Sequence, residues 1–241
     1  MAVVDWKKQG SIAVISMNNG ENRHNPAFVK AMLKIFSEIL GDESMDGVVI
    51  TSSDAKHWSL GLDVDWLVQR TKEQDCQPIK DFLYSLNDLF KTMLTFPMPL
   101  IASINGHCAA NGLLLACACD FRFMTSDKGL ARFPEVDLGI PFLPGMIAVT
   151  KKGIPLYKFE EMKYTGQRFT ALDLEEHHII LKSFKDAKTL MRESLEFARS
   201  FKKGRGIFGE MKKRMNKDII RVFEKEDPDY IESFGPTSLF Y

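Results

Sequence analysis

Residues 105–120 read NGHCAANGLLLACACD, and the fold turns on how that run is read. It opens on Asn105-Gly106 and small side chains, passes through three consecutive leucines and closes on Asp120. Upstream, FPMP (96–99) stops a helix and LIASI (100–104) follows as a short apolar strand; downstream, FRFMT (121–125) reads as another strand. The run between them is therefore a tight turn leading into a helix that is apolar on every side, hence buried. The first donors of a helix have no partner within it, and a partial positive charge collects there. Small residues at 108, 109, 110 and 112 leave those donors open to approach. This stretch offers its backbone, rather than its side chains, as the chemical group.

Working outward, SIAVISM (11–17) alternates as a strand does. A polar bend, NNGENRH, leads to Asn25-Pro26, an N-cap followed by proline at the first helical position. Apolar residues at 28, 29, 32, 33, 36, 39 and 40 then mark a helix that Gly41 ends. GVVIT (47–51) is a buried strand. Segment 53–77 reads as irregular and polar, with a glycine turn at Gly61, before a second helix over 78–95 with apolar residues at 79, 82, 83, 86, 89, 90, 93 and 94. Strand and helix alternate to about residue 185, which argues an α/β fold with mainly parallel connections. Beyond Ala187 the pattern is helical, GRG (204–206) separating two helices. This divides the chain into a core, 1–186, and a C-terminal helical region, 187–241.

The last helix, about 207–225, carries Ile207, Met211, Met215, Ile219 and Val222 along one face. Between 202 and 221 eight basic residues stand against two acidic ones. That excess is either a solvated helix face or a patch for a polyanionic ligand such as a phosphate-rich nucleotide. The whole chain of 241 residues has a formal net charge of zero and 45% apolar residues, so it builds a large core and has no global pull toward nucleic acid or an anionic membrane. Its longest apolar run, Leu113–Cys119, is far too short to span a bilayer. MAVVDWKKQG at the start does not read as a secretory signal. The four cysteines (76, 108, 117, 119) form neither zinc-type pairs nor a disulfide scaffold, which points to reduced thiols in a cytoplasmic protein.

A second backbone-donor candidate is WSLGLD (58–63), where Gly61 permits a turn that a side chain would crowd. Two N–H groups from separate loops aimed at one oxygen make an oxyanion hole, each donor contributing about 3 kcal/mol to the transition state.

ENRHNPAFV, HWSLGLDV (57–64), FPMPLIASINGHCAANGLLLACACDFRFMTSD (96–127) and FPEVDLGIPF (133–142), in this order and spacing, resemble the crotonase superfamily, the enoyl-CoA hydratase/isomerase family. The resemblance covers most of the first 185 residues. It implies a crotonase-like spiral of ββα units, a C-terminal region that builds a homotrimer or a dimer of trimers, and an acyl-CoA thioester as substrate, with coenzyme A part of that substrate and no separate cofactor or metal. It also implies that the backbone N–H groups of Leu62 and Asn111 hold the thioester oxygen. The family more often has glycine at 111; asparagine keeps the N–H.

The acids and bases decide the reaction. By the resemblance, hydratases use two carboxylates; here the first position is Leu114 and the second is Glu135. A single carboxylate suits Δ3,Δ2-enoyl-CoA isomerisation, and the similarity is closest to the single-glutamate isomerases, the plant peroxisomal ones among them. Glu135, beside Val136, Leu138, Ile140 and Phe142, is then the base, its pKa raised by desolvation. Substrate contacts are expected from Arg23, Gly61, Asp63, His107 and Gly112, with Asp63 organising the first loop and Asp120 serving as a structural partner. TSLFY at the C-terminus does not resemble a peroxisomal address, and a bacterial cytoplasmic enzyme fits. The dehalogenase type fits poorly, since Phe142 and Leu143 stand where its aspartate belongs. A hydratase or another acyl-CoA lyase or hydrolase, and a non-catalytic acyl-CoA-binding homologue, are the alternatives.

Overall fold

The computed structural model describes residues 2–235, so TSLFY (237–241) lies outside the described residues. Each turn of the chain delivers one strand to a large sheet and a shorter one to a small sheet. β1 (Val4–Gln9) and β2 (Ile12–Met17) form an antiparallel hairpin, followed by β3 (Arg23–His24) and α1 (Pro26–Gly41). The next turn holds β4 (Gly47–Ser52), β5 (His57–Ser59), β6 (Gly61–Leu62), α2 (Val64–Lys72) and α3 (Gln77–Thr95). Then come β7 (Leu100–Ile104), β8 (His107–Ala109) and α4 (Asn111–Ala118), and after them β9 (Phe121–Thr125) and β10 (Ala131–Arg132). Helices α5 (Glu135–Leu138), α6 (Pro144–Gly153), α7 (Leu156–Thr165) and α8 (Ala171–Glu176) lead to β11 (Lys182–Phe184). Helices α9 (Ala187–Ser200), α10 (Arg205–Lys225) and α11 (Asp227–Glu232) end the described chain.

The large sheet runs β1-β2-β4-β7-β9-β11 and is parallel from β2 onward, with Val14 opposite Val49 and Val49 opposite Ile101. The small sheets, β10-β8-β5 and β3-β6, are parallel as well. Both faces of the large sheet are buried. Ala13, Ile15, Val48, Ile50, Leu100 and Ala102 face the main core, while Ile12, Val14, Val49, Ile101 and Phe123 pack under Leu190, Leu195 and Ala198 of α9. That two-residue alternation between two apolar environments is why the strands read as continuous apolar runs.

Segment 53–77, expected to be irregular, instead forms β5, β6 and α2. Only Leu67 is buried in α2, and the strands are two or three residues long, so no periodicity marked them. Helix α4 is buried at all eight of its positions.

The C-terminal helices are held by buried polar contacts. Lys212 on α10 donates to Asp120 at 2.8 Å, and the same carboxylate accepts from the Leu100 N–H at 2.9 Å. Asn216 donates to the Leu94 carbonyl at 2.8 Å. Asp227 accepts from Asn87 at 2.9 Å and from the Gly145 N–H at 2.7 Å. Two members of the basic cluster are thereby structural: Lys212 is buried in its ion pair, and Arg205 donates to the carbonyls of Leu40, Asp42 and Met45. The first three residues of the apolar row on α10 point the other way, with Ile207, Met211 and Met215 exposed to 64%, 51% and 74%, while Ile219 packs against the core. Among the described residues no helix is long and apolar enough to cross a membrane.

Removing one partner of a buried ion pair strands the other charge. Lys212→Ala is expected to lower the unfolding free energy by about 3–5 kcal/mol in urea titrations, and the exposed neighbour Lys213→Ala to change it by under about 0.5 kcal/mol. Equal effects of the two would contradict this account.

Candidate active site

Two loops meet nearly backbone to backbone. Gly61 has φ +86°, and a Cβ there would lie 2.6 Å from the Asn111 nitrogen and 2.7 Å from the Ala110 Cβ. A Cβ on Gly112 would lie 2.4 Å from the Ser59 carbonyl oxygen. Glycine is required at both positions by space, and at Gly61 by the backbone angle as well. Ala110 carries the chain from β8 into α4 at φ 53°, ψ −134°, a conformation alanine avoids at a cost of roughly 1–3 kcal/mol. Asn111 is the first residue of α4, and an N–H at that position has no partner within its helix. Leu62 ends β6, and its carbonyl accepts from Arg23 at 3.4 Å.

Leu62 and Asn111 line one cavity of about 1330 Å³, and Glu135 lines it too. The walls are largely aliphatic, with Leu67, Ile79, Leu83, Val136, Leu138 and Ile140 among them. Glu135 is the only carboxylate among the described lining residues. Its side chain is 8% exposed; Oε2 accepts from the Lys163 ammonium at 3.3 Å, and Oε1 has no hydrogen-bond partner. Burial pushes the Glu135 carboxyl above its ordinary range, with Lys163 opposing. Burial likewise lowers Lys163 to about 8, with Glu135 opposing. Lys163 also sits over the Phe142 ring, 3.1 Å from its centroid, and 4.7 Å from that of Phe133, so its charge faces aromatic surface rather than water. Arg132 pairs with Asp137 at 3.3 Å, not with Glu135. Leu114, where a second carboxylate would stand, is fully buried.

The other residues singled out in the sequence are placed as follows. Arg23 and His107 line the cavity; Arg23 also pairs with Glu21 at 2.7 Å, and His107 Nδ1 accepts from the Leu130 N–H at 3.1 Å. Burial, then the neighbouring His57, lowers the His107 imidazole. Gly61 and Gly112 stand behind the lining, where they let the loops close. The Asp63 carboxylate caps α2 through the Trp66 N–H at 3.1 Å and accepts from Asn25 at 3.0 Å. Two residues escaped the sequence reading: Lys163 and Ser59. Lys163 stands 28 residues beyond Glu135, with nothing local to mark it. His24 and Ser59 are packed beneath the two loops, His24 within the NRHNP stretch that already suggested Arg23. Among the described residues no group of three or more His, Cys, Asp or Glu is placed to hold a metal ion.

The sequence model of the enoyl-CoA hydratase/isomerase family matches residues 7–228. Enoyl-CoA delta isomerase 3 of Arabidopsis thaliana is 25% identical over 228 residues, which is 90% of this chain and 94% of that protein. The peroxisomal enoyl-CoA delta isomerase 2 of the same plant is 29% identical over 136 residues, 56% of this chain and 57% of the relative. Among solved structures, a probable enoyl-CoA hydratase of Mycobacterium tuberculosis H37Rv superposes with a TM-score of 0.86 at 21% identity, covering 96% of both chains. An apo structure described as the Mycobacterium tuberculosis enoyl-CoA isomerase gives 0.85 at 21% identity, covering 97% of this chain and 99% of that one. At that identity these structures bear on the fold, and the spiral of ββα units is common to them and this chain.

The loop contact has a direct stability test. Gly112→Ala places a methyl group against the Ser59 backbone and is expected to lower the unfolding free energy by about 1–3 kcal/mol. Gly206→Ala, inside α10 and with open space around its Cβ, is expected to leave stability unchanged or slightly raised. An undiminished Gly112→Ala midpoint would show that the loops do not need this approach.

Proposed function

The chain belongs to the enoyl-CoA hydratase/isomerase family, and from that premise we infer that it is a Δ3,Δ2-enoyl-CoA isomerase. The observation that carries the reading is Glu135, the single carboxylate among the described lining residues of the cavity, buried and with one oxygen unpartnered, in a wall it shares with Leu62 and Asn111. The Leu62 and Asn111 N–H groups receive the thioester oxygen. Charge drawn onto that oxygen acidifies C2, and a donor fixed in the backbone needs no reorganisation as the charge develops. Glu135 Oε1 removes a proton from C2; the electron pair delocalises through the C3–C4 double bond as a dienolate. The now protonated Glu135 returns the proton to C4, leaving the double bond between C2 and C3. Proton and electrons balance within the substrate, so the step needs no redox cofactor or metal, and coenzyme A enters only as part of the thioester.

Lys163 holds Oε2 and leaves Oε1 as the basic atom. The buried Leu114 supports one-base chemistry over hydration, which the family carries out with a second acid. The cationic side chains of Arg23, Arg132 and Arg168 at the cavity wall suit the phosphates of the coenzyme A portion. In this reading the enzyme is cytoplasmic and works as a homotrimer or a pair of trimers, for which the exposed row Ile207, Met211 and Met215 supplies an apolar face.

The decisive assay incubates a 3-enoyl-CoA and follows conjugation spectroscopically. Glu135→Gln is expected to lower turnover by about 10³-fold, within the 10²–10⁴ range that general-base catalysis contributes. Unchanged turnover, or hydration of a 2-enoyl-CoA outpacing isomerisation, overturns the reading. Glu135 must be ionised to accept the proton, and its pKa is raised. Activity is therefore lost as pH falls through a value above the ordinary glutamate pKa of about 4.3. A pH profile of kcat/KM whose acidic limb lies at or below that value would contradict the assigned base.

A further inference from the structure

Beneath the two loops lies a chain of buried polar groups that no step above uses. His24 is fully buried, stacked on Phe28 with ring centroids 4.5 Å apart, and absent from the cavity lining. Its Nδ1 stands 2.8 Å from Asn111 Nδ2, and its Nε2 stands 3.0 Å from Ser59 Oγ. An amide nitrogen only donates, so Nδ1 accepts and the ring proton resides on Nε2, which donates to Ser59. The Ser59 hydroxyl in turn donates to the Asn22 carbonyl at 2.8 Å and accepts from the Gly61 N–H at 3.3 Å. Asn22 is itself tied down, donating to the Trp58 carbonyl at 2.9 Å and to Ser52 Oγ at 2.7 Å. Among the described members of this hydrogen-bonded network, only Asn111 Oδ1 lacks a partner.

We propose that His24 is a positioning residue that couples the Asn111 loop to the Ser59–Leu62 loop and thereby sets the spacing of the two oxyanion-binding amides. One nitrogen of the ring holds the side chain of the residue that supplies one amide. The other holds, through Ser59, the residue immediately before the one that supplies the second. Burial lowers the imidazole to about 3, so the ring is neutral and keeps one donor and one acceptor; a protonated ring would set an Nδ1–H donor against the Asn111 amide hydrogens. An asparagine at 111 has a use here that glycine does not: its carboxamide is the handle by which the ring reaches the start of α4. The inference rests on the Leu62/Asn111 oxyanion hole, and its test separates the two.

The experiment compares wild type, His24→Leu, His24→Gln, Asn111→Gly and the double variant His24→Leu/Asn111→Gly. It reads kcat and KM on a 3-enoyl-CoA and the infrared carbonyl frequency of a bound 2-enoyl-CoA. His24→Leu is expected to lower kcat by about 10–100-fold, the scale of an ångström-level misplacement, with KM changed by less than about threefold. The bound carbonyl should lose part of its shift to low frequency. His24→Gln, which retains an acceptor and a donor, should recover part of kcat. In the Asn111→Gly background the same His24→Leu change should matter several-fold less, because the handle is gone. Equal effects in both backgrounds, or an unchanged carbonyl frequency, overturn the proposal in favour of simple core packing. A wild type that shifts the bound carbonyl but does not isomerise refutes the isomerase reading and leaves the infrared comparison to decide on His24. If His24→Leu does not fold, the ¹⁵N shifts of the wild-type imidazole decide: a neutral ring is required at neutral pH, and a ring protonated on both nitrogens overturns the coupling.

Discussion

The approach of residues 59–62 to residues 109–112 is the constraint on which the rest of this structure depends. No Cβ fits at Gly61 or Gly112, because backbone atoms of the facing loop stand 2.4–2.6 Å from where it would be. Two backbones this close share no intervening side chains, so the loops meet by backbone contact, with the buried His24, Ser59 and Asn111 hydrogen bonds beneath them. Ala110 holds a strained backbone conformation to make the entry into α4. The surroundings bear that strain: α4 is buried along its whole length, and β8 is paired on both sides within its small sheet.

The segment with this task is pinned at both ends. At its start it meets Gly61, Ser59 and His24; at its finish, Asp120 caps β7 through the Leu100 N–H and pairs with Lys212 on α10. The last long helix thus reaches back to the base of the helix whose first residue lines the cavity. Asp227 does the same for α11, tying it to α3 and to the first turn of α6. The C-terminal helices are therefore part of what fixes the cavity, not an appendage beside it.

The cavity pairs a carboxylate and an ammonium that both lose solvation. Each partly restores the other's charge, and neither does so completely, which leaves Glu135 more basic than a surface glutamate and Lys163 more acidic than a surface lysine. A base tuned this way abstracts a weakly acidic proton and also gives it back, as a double-bond shift requires. In the proposed reaction Lys163 also decides which oxygen does the work, since it occupies Oε2 and leaves Oε1 facing no partner.

Local sequence determined a good deal. Strands β2, β4, β7 and β9 of the large sheet, α1, α3 and the buried α4 follow from apolar periodicity, caps and punctuation such as Asn25-Pro26 and FPMP. The glycines at 61 and 112 and the lone Glu135 were legible because a motif of fixed spacing carries them. β5, β6 and α2 were not legible: two- and three-residue strands have no measurable period, and a helix with one buried residue has no stripe. Nor were the partners. Arg132 lies three residues from Glu135 in the sequence, yet Glu135 pairs with Lys163 from a helix that the fold brings over the cavity. His24, Ser59 and Asn111 are separated by 35 and 52 positions in the chain and joined by hydrogen bonds of 3.0 and 2.8 Å through the imidazole. Periodicity reports which face of an element is buried. Which buried polar group meets which is decided only when the spiral closes, because that is when desolvation makes an unpaired group costly and each must find its partner.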